Sequence, residues 1–553
     1  MAGLSASDPF AAPHVERPAG FRGVFRTDLL ARAVYAEGAG IARCVPRAVA
    51  VPADVEDVSH LVRWAKQSGT PLIPRGSGSG MAAGAVGPGV VVDLSRFRDI
   101  APVDVAARRV RVGAGALRGA VNAAAGSAGL RFPVDPSSGA FCTVGGMVAA
   151  NAAGARTLRF GATRPWVRGL ECVFDDGSVA WVHRDQPSPL HVPAVARLVR
   201  ALEELRALPA AALTHAGVRK ESSGYGVAAA LAPDGHLVDL LVGSEGTLAL
   251  FTAVDLALIP TAGGTATVLA SFASLEAASA CAVAIGAAGA TACELLDRTF
   301  LDVAARGGST GVPGDAEAVL LCEVEGEGPG AVGSLLDQLL YICDEHGAME
   351  TRKASDPDTE HKLWTLRHAA SPILASLAPR LRSMQFIEDG CVPPAAFPDY
   401  VRGVRSALRR FEMPGVIFGH AGDAHAHVNP LVDTSAVGWR DRVHGVLQEV
   451  CGLTAKLGGT LAGEHGDGRL RAPLLDQVWG LEARAAFAHV KEAGDPSGVL
   501  NPGCKVASSG AEPFTMLRHD PEAPALPAAA QALLAEVERT RDWGRYRLAE
   551  LPA

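Results

Sequence analysis

Apolar residues recur along this chain with two periods, and the switches between them mark out its elements. AVAVP (48–52) and PLIP (71–74) are short, nearly unbroken apolar runs of the kind buried strands show. Between them Val55, Val58, Leu61, Val62 and Ala65 fall at helical spacing, which predicts an amphipathic helix over 55–69. VVVDLS (90–95) and RVRVGAGA (109–116) predict two more strands, followed by a helix over 117–129. Strands continue around LECVFDDGSVAWV and through VGSEGTLALFTAVDLALIP, which ends at Pro260. Beyond it, strands alternate with longer helices to about residue 503. The pattern divides the chain into an arm over 1–45, an α/β region over 46–260, a second mixed region over 261–506, and a polar tail over 507–553 with one charged helix (PAAAQALLAEVERTRDW).

Glycine interrupts this pattern in clusters. Arg75-Gly76-Ser77-Gly78-Ser79-Gly80 directly follows the PLIP strand. Successive glycines there expose backbone N–H groups that can form a nest for a pyrophosphate. A nicotinamide fingerprint is excluded, although Asp93 stands at a ribose-binding distance. Its third glycine should open a helix, whereas here the chain runs on as MAAGAVGPG. A second stretch places Gly145 and Gly146 ahead of small residues that include Asn151 and Gly154, so that backbone can approach a flat ring or a phosphate.

The densest chemistry lies at 420–468. GVIFGH, a tight Ala-Gly-Asp-Ala turn and HAHVNP read as strand, turn, strand. Alternation along the second strand puts His425, His427 and Asn429 on one face, with His420 ending the partner strand. About forty residues on, GGTLAGEHGDG supplies Glu464 and His465. Imidazoles with one carboxylate suit a borderline divalent cation, and two or three protein ligands leave positions open for Lewis-acid chemistry.

Composition narrows the function classes. The chain has 553 residues, 48% of them hydrophobic and 20% charged, enough for two or three packed domains. A net charge of -8 and a pI near 6.1 argue against nucleic acid as a partner. The ten cysteines include no CxxC pair, so neither a disulfide framework nor an iron–sulfur cluster is indicated, and a reducing cytoplasm is expected. There is no apolar signal core and no uncharged apolar run long enough to span a membrane, although peripheral attachment is left open.

These motifs, in this order, resemble a known family. Arg75–Gly80 with Val92-Asp93-Leu94-Ser95, Asp135-Pro136-Ser137-Ser138 through Gly145-Gly146 to Asn151 and Gly161, and Gly243-Ser244-Glu245-Gly246 look like the FAD domain of the vanillyl-alcohol oxidase / p-cresol methylhydroxylase (PCMH) superfamily. His420 and His427, Gly463-Glu464-His465-Gly466, and Asp495-Pro496 with Leu500-Asn501-Pro502-Gly503 resemble its FAD-linked D-2-hydroxyacid dehydrogenases. That group includes D-lactate dehydrogenases, the glycolate oxidase FAD subunit and D-2-hydroxyglutarate dehydrogenases.

The resemblance implies an α+β fold: a two-lobed PCMH-type FAD-binding domain, then a substrate domain with an antiparallel sheet covered by helices. It implies that Arg75, Gly76, Ser77, Gly78, Ser79, Gly80, Pro136, Ser138, Gly145, Gly146, Asn151, Gly161 and Asn501 surround FAD. No histidine or cysteine marks a covalent flavin bond, so FAD is expected to be non-covalent. His420, His427 and Glu464 match the family's ligands to a divalent metal, with zinc the first expectation and manganese or iron the alternatives. His465 matches the base and Asn429 a substrate contact. Arg367, in HKLWTLRHAASPIL, would clamp the substrate carboxylate, with Ser371 one helical turn further on. Arg382 stands near a substrate-binding lysine of relatives. The implied reaction is oxidation of a 2-hydroxy acid to a 2-oxo acid. An iron–sulfur or electron-transfer protein is among the open electron acceptors. A flavin-dependent transferase of the alkyl-dihydroxyacetonephosphate synthase type, or a flavin subunit of a larger complex, are the alternatives. The chain departs from the family at Ala424, a glycine in relatives, and at His425, an asparagine there. His425 is left with three roles: ligand, hydrogen-bond partner near the metal, or turn cap.

Overall fold

The structure, a computed structural model, describes residue 10 and residues 15–306, 314–374, 380–540, 542 and 547; the side chains of 368–374 lie outside that description. The first lobe is built on a four-stranded sheet. Its order is Val24–Arg26, Ala48–Val51, Val90–Asp93, Leu72–Arg75; the first pairing is antiparallel and the other two parallel. The helix Val55–Ser68 covers it. Asp54 caps its start by accepting from the Asp57 N–H, and Gly69, at φ +65°, ends it in the left-handed conformation that glycine adopts without strain. The periodic residues Val58, Leu61, Val62 and Ala65 are all buried against the sheet, as their spacing predicts.

The arm joins this lobe. Asp57, buried on the helix, accepts from the backbone N–H groups of Arg22, Gly23 and Ala53 at 2.7–2.9 Å, and this holds Val24–Arg26 in register as an edge strand. The arm helix Leu29–Val34 packs with Leu526, Ala530 and Leu534 of the tail, so the arm and the tail helix meet on the same lobe.

The second lobe is an antiparallel sheet ordered Arg109–Gly113, Leu250–Ala257, Val167–Val173, Val179–His183. The third sheet is antiparallel throughout. It runs Glu350–Ala354, Gly264–Phe272, Ala318–Gly326, Ala292–Asp297, Gly415–Gly419, His425–Asp433, Leu381–Ser383, and Gly390–Cys391 also pairs with His425–Asp433. Helices Leu275–Ala287, Pro329–Glu345, Phe397–Arg410 and Trp439–Lys456 contribute to one large apolar core beneath it. The α+β architecture expected from the sequence is the one found.

Candidate active site

The histidine hairpin forms as its pattern predicts. Gly415–Gly419 pairs with His425–Asp433 so that Phe418 stands opposite His427 and Val416 opposite Asn429. Gly419, at φ +144°, lies where a Cβ would sit 2.8 Å from the His427 nitrogen, so only glycine lets the two strands close here. The turn ends on Ala424 at φ +57°, a conformation that costs a non-glycine residue about 1–2 kcal/mol.

Three side-chain atoms converge above the hairpin. Glu464 Oε1 is 3.3 Å from His420 Nε2 and 3.2 Å from His427 Nε2, and the two nitrogens are 3.4 Å apart. With metal–nitrogen bonds of about 2.0–2.1 Å, the edges of a tetrahedral zinc site are roughly 3.3 Å. The other nitrogen of each ring is already committed. His420 Nδ1–H donates to Glu294, and His427 Nδ1–H donates to the Glu388 carbonyl at 2.9 Å. Both Nε2 atoms therefore face the centre, the arrangement metal-bound histidines adopt. Burial pushes the His427 pKa down, but its hydrogen bonds to Glu388 and Glu464 and their negative charges override this and hold it up at about 10. The same surroundings keep Glu464 well below the usual carboxylate range against its burial, chiefly through Lys220 and His420. The donor atoms of this set could hold a divalent cation.

Glu464 and His465 stand on a loop without regular structure, and five successive N–H groups of that loop are held by side chains from elsewhere. Glu464 and His465 donate to Asp389 (3.2 and 2.9 Å), Gly466 to Ser222 Oγ (3.0 Å), and Asp467 and Gly468 to Glu245 (2.7 and 2.9 Å). Buried backbone donors need such partners. His465 Nδ1–H donates to Glu388 at 2.7 Å, which leaves Nε2 as the accepting nitrogen. Burial opposes protonation of His465, but the Glu388 and Asp389 carboxylates raise its pKa above the ordinary histidine value. Arg471 pairs with Glu388 on its far side. None of Glu388, Asp389, Ser222 or Lys220 stands out in the sequence; an acidic pair ahead of Gly390 and a KESSGY run are the only signals.

The remaining expected site residues divide. Arg367 joins the centre through Glu294, which accepts its Nε–H, and its guanidinium lies over the Phe418 ring at 4.8 Å. Asn429 is buried on the His427 face. The side chain of Ser371 lies outside the described residues. Arg382 is not brought to the centre. It pairs with Val432, one step out of phase with His427 and Asn429, so its side chain leaves the opposite face and is exposed. Arg382 stands instead near His519, whose pKa burial, Arg518, Arg382 and Arg43 depress to about 3. His425 hydrogen-bonds Asp389 through Nε2 at 2.9 Å, and burial pushes its pKa down to about 4, so it stays neutral. It thus steadies the residue that holds the Glu464–His465 turn.

A cavity of about 220 Å³, partly open to solvent, runs between the two lobes, with Glu464 and His465 in its lining. Arg75, Gly76, Ser77, Gly78, Ser79, Gly80, Pro136, Ser138, Gly145 and Gly146 all line it. Two of its glycines are required: a Cβ on Gly76 would lie 2.1 Å from Thr143 Oγ1, and one on Gly145 2.7 Å from Ala114 Cβ. Arg75 spends its donors on the carbonyls of Tyr35, Glu37 and Ala85, which braces the loop from behind. Three expected cofactor residues do not line the cavity. Asn151 ties the Glu221 carbonyl to the Arg164 N–H, Asn501 donates to the carbonyls of Gly84 and Glu245, and Gly161 ends a short helix at φ +71°. They hold the walls rather than form them. Burial raises the pKa of Cys142, which lines the cavity, to about 11, so its thiol stays protonated.

The cleft between two lobes, and the catalytic-type cluster beside it, define a flavoprotein of the FAD-linked oxidase type. Residues 46–183 match the family "FAD binding domain", and residues 264–504 match "FAD linked oxidases, C-terminal domain". The chain belongs to the FAD-linked oxidases of the PCMH-type superfamily and is an oxidoreductase. It is 29% identical over 463 residues to the glycolate oxidase subunit GlcD of Bacillus subtilis, covering 83% of this chain and 88% of that one. It is 28% identical over 459 residues to a D-lactate dehydrogenase of Archaeoglobus fulgidus (82% and 90%). It is 29% identical over 516 residues to a D-2-hydroxyglutarate dehydrogenase of Pseudomonas putida, covering 88% of this chain but 51% of that one. Among solved structures, 4-ethylphenol oxidase from Gulosibacter chungangensis superposes with a TM-score of 0.63 at 15% identity, over 89% of this chain and 94% of that one. An alkyldihydroxyacetonephosphate synthase superposes at 0.57 and 14% identity, over 86% and 82%. At such identities these two speak for the fold alone. No helix among the described residues is long and apolar enough to cross a membrane.

Proposed function

We propose that the protein oxidises a D-2-hydroxy acid of the lactate, glycolate or 2-hydroxyglutarate class to the corresponding 2-oxo acid, with non-covalent FAD and a divalent cation, zinc before manganese or iron. The observation that carries this reading is that His420, His427 and Glu464 converge within 3.2–3.4 Å of one another beside the flavin cavity, with His465 in its wall. When bound, FAD supplies a hydride acceptor, and a cation held by His420, His427 and Glu464 lowers the pKa of a substrate hydroxyl.

The chain's own residues do the rest. Arg367 meets the substrate carboxylate with its terminal nitrogens while Glu294 holds its Nε in place. Asn429, on the His427 face, contacts the bound acid. His465 Nε2 takes the hydroxyl proton, because its Nδ1–H is fixed to Glu388. An iron–sulfur or electron-transfer protein is one candidate among the open electron acceptors. Relatives named as oxidase subunits support that reading, and a cytoplasmic enzyme fits it.

The test is anaerobic. The purified protein is mixed with D- and L-2-hydroxy acids, before and after chelation, while its flavin band is recorded. Bleaching by a D-acid, lost on chelation and restored by a divalent ion, is the expected outcome. A bound flavin that none of these acids bleaches would sink the proposal.

A further inference from the structure

Lys220 is a buried charge that the reaction above leaves without a task. It has no exposed side-chain surface. Its ammonium donates to the Gly154 carbonyl at 2.9 Å and to Glu464 Oε2 at 3.3 Å, and forms an ion pair with Asp423 Oδ2 at 3.3 Å. Two of these partners matter for function. Glu464 belongs to the converging set. Gly154 directly follows Ala152 and Ala153, which line the flavin cavity. Glu464 divides its oxygens between the two sides: Oε1 faces His420 and His427, and Oε2 faces Lys220.

On the reading that His420, His427 and Glu464 hold a divalent cation, we propose that Lys220 is a positioning residue that restricts Glu464 to one-oxygen coordination and so keeps neighbouring positions on the cation open for a substrate. A carboxylate can bind a cation through one oxygen or both. An ammonium against Oε2 competes with the ion for that oxygen and removes the second mode. Charge points the same way: the Lys220 ammonium stands against Glu464 Oε2, so removing it leaves that oxygen without its cationic partner and free to turn toward the ion. The ion is then held harder and with less room for substrate.

The experiment uses the flavin-loaded enzyme with zinc. Zinc affinity is measured by chelator competition, the oxygen count around zinc by X-ray absorption at the zinc edge, and FAD content by absorbance, in wild type, Lys220→Met and Asp423→Asn. Lys220→Met is expected to keep FAD, to gain a close oxygen, to bind zinc tighter by on the order of 10-fold, and to raise KM for the hydroxy acid. Asp423→Asn, which removes the carboxylate that competes with Glu464 for Lys220, is expected to bind zinc more weakly by a similar factor. A lysine with a merely structural role would loosen the ion when removed. Unchanged coordination, with equal or weaker zinc binding in FAD-loaded Lys220→Met, overturns the inference. If Lys220→Met does not fold, Asp423→Asn decides, and wild-type zinc affinity there overturns it. A wild-type enzyme that takes up no zinc, manganese or iron would overturn the metal reading itself, a separate and distinguishable result.

Discussion

Glu294 joins His420 to Arg367: one carboxylate oxygen accepts from His420 Nδ1 and the other from Arg367 Nε. Burial raises its pKa, but His420 and Arg367 more than offset this and hold it well below the usual range, so it stays ionised. Glu294→Gln is expected to weaken divalent-metal binding about 10–100-fold, the usual cost of losing a carboxylate behind a ligating histidine. Because the same change frees Arg367, KM for the hydroxy acid should rise as well. Chelator competition and steady-state kinetics on one preparation check both effects; a change in KM with metal affinity intact would separate the two roles.

His465→Asn should keep FAD bound and slow flavin reduction by about 10²–10⁴-fold. A wild-type reduction rate in this variant would remove His465 from the role of base.

The pH dependence of the same step has a definite sign. Glu388 and Asp389 raise the His465 pKa, so the ring keeps its proton to a higher pH and the neutral base appears only above the ordinary histidine value of 6.5. Flavin reduction should therefore rise with pH through a midpoint above 6.5, and Glu388→Gln should move that midpoint down. Stopped-flow reduction across pH reads it directly. A midpoint that ignores Glu388 would mean another group sets the limb.

Arg382 leaves the sheet on the face opposite His427. Arg382→Ala should therefore change kcat/KM by no more than roughly twofold, within the range of ordinary surface substitutions. A tenfold loss, measured with acids of one and two carboxylates, would show that the side chain reaches substrate after all.

Asp57 holds the arm to the first lobe through three backbone N–H donors. Burial raises its pKa, but these donors outweigh that and bring it below the ordinary value of 3.8. Its stabilisation is thus present above that value and is lost as pH falls through the lower folded one. Asp57→Asn should cost about 1–3 kcal/mol near neutrality, and urea midpoints of wild type and variant should converge in strong acid. Equal midpoints at pH 7 would mean that the arm is held by other contacts.

The sequence by itself determined the elements and the local chemistry. Period and glycine placement are local properties, so the helix Val55–Ser68, the strands Leu72–Arg75 and Val90–Asp93, and the hairpin of Gly415–Gly419 with His425–Asp433 follow from spacing alone. The hairpin also placed His427 and Asn429 on one face, because side chains alternate along a strand. The tertiary structure decided which distant groups complete each local feature. Glu294, Glu388, Asp389 and Lys220 stand in segments from which no site was read, and Glu245, in the Gly243–Gly246 motif, was not read as a support for the Glu464–His465 loop. They matter because they supply charge and hydrogen-bond acceptors to His420, His465, Glu464 and the backbone N–H groups of the loop that carries the last two. Register puts Arg382 on the far face, and Asn151 and Asn501 hydrogen-bond backbone groups of the segments that carry the cavity. Burial and pairing belong to the packed chain, and no window of sequence contains them.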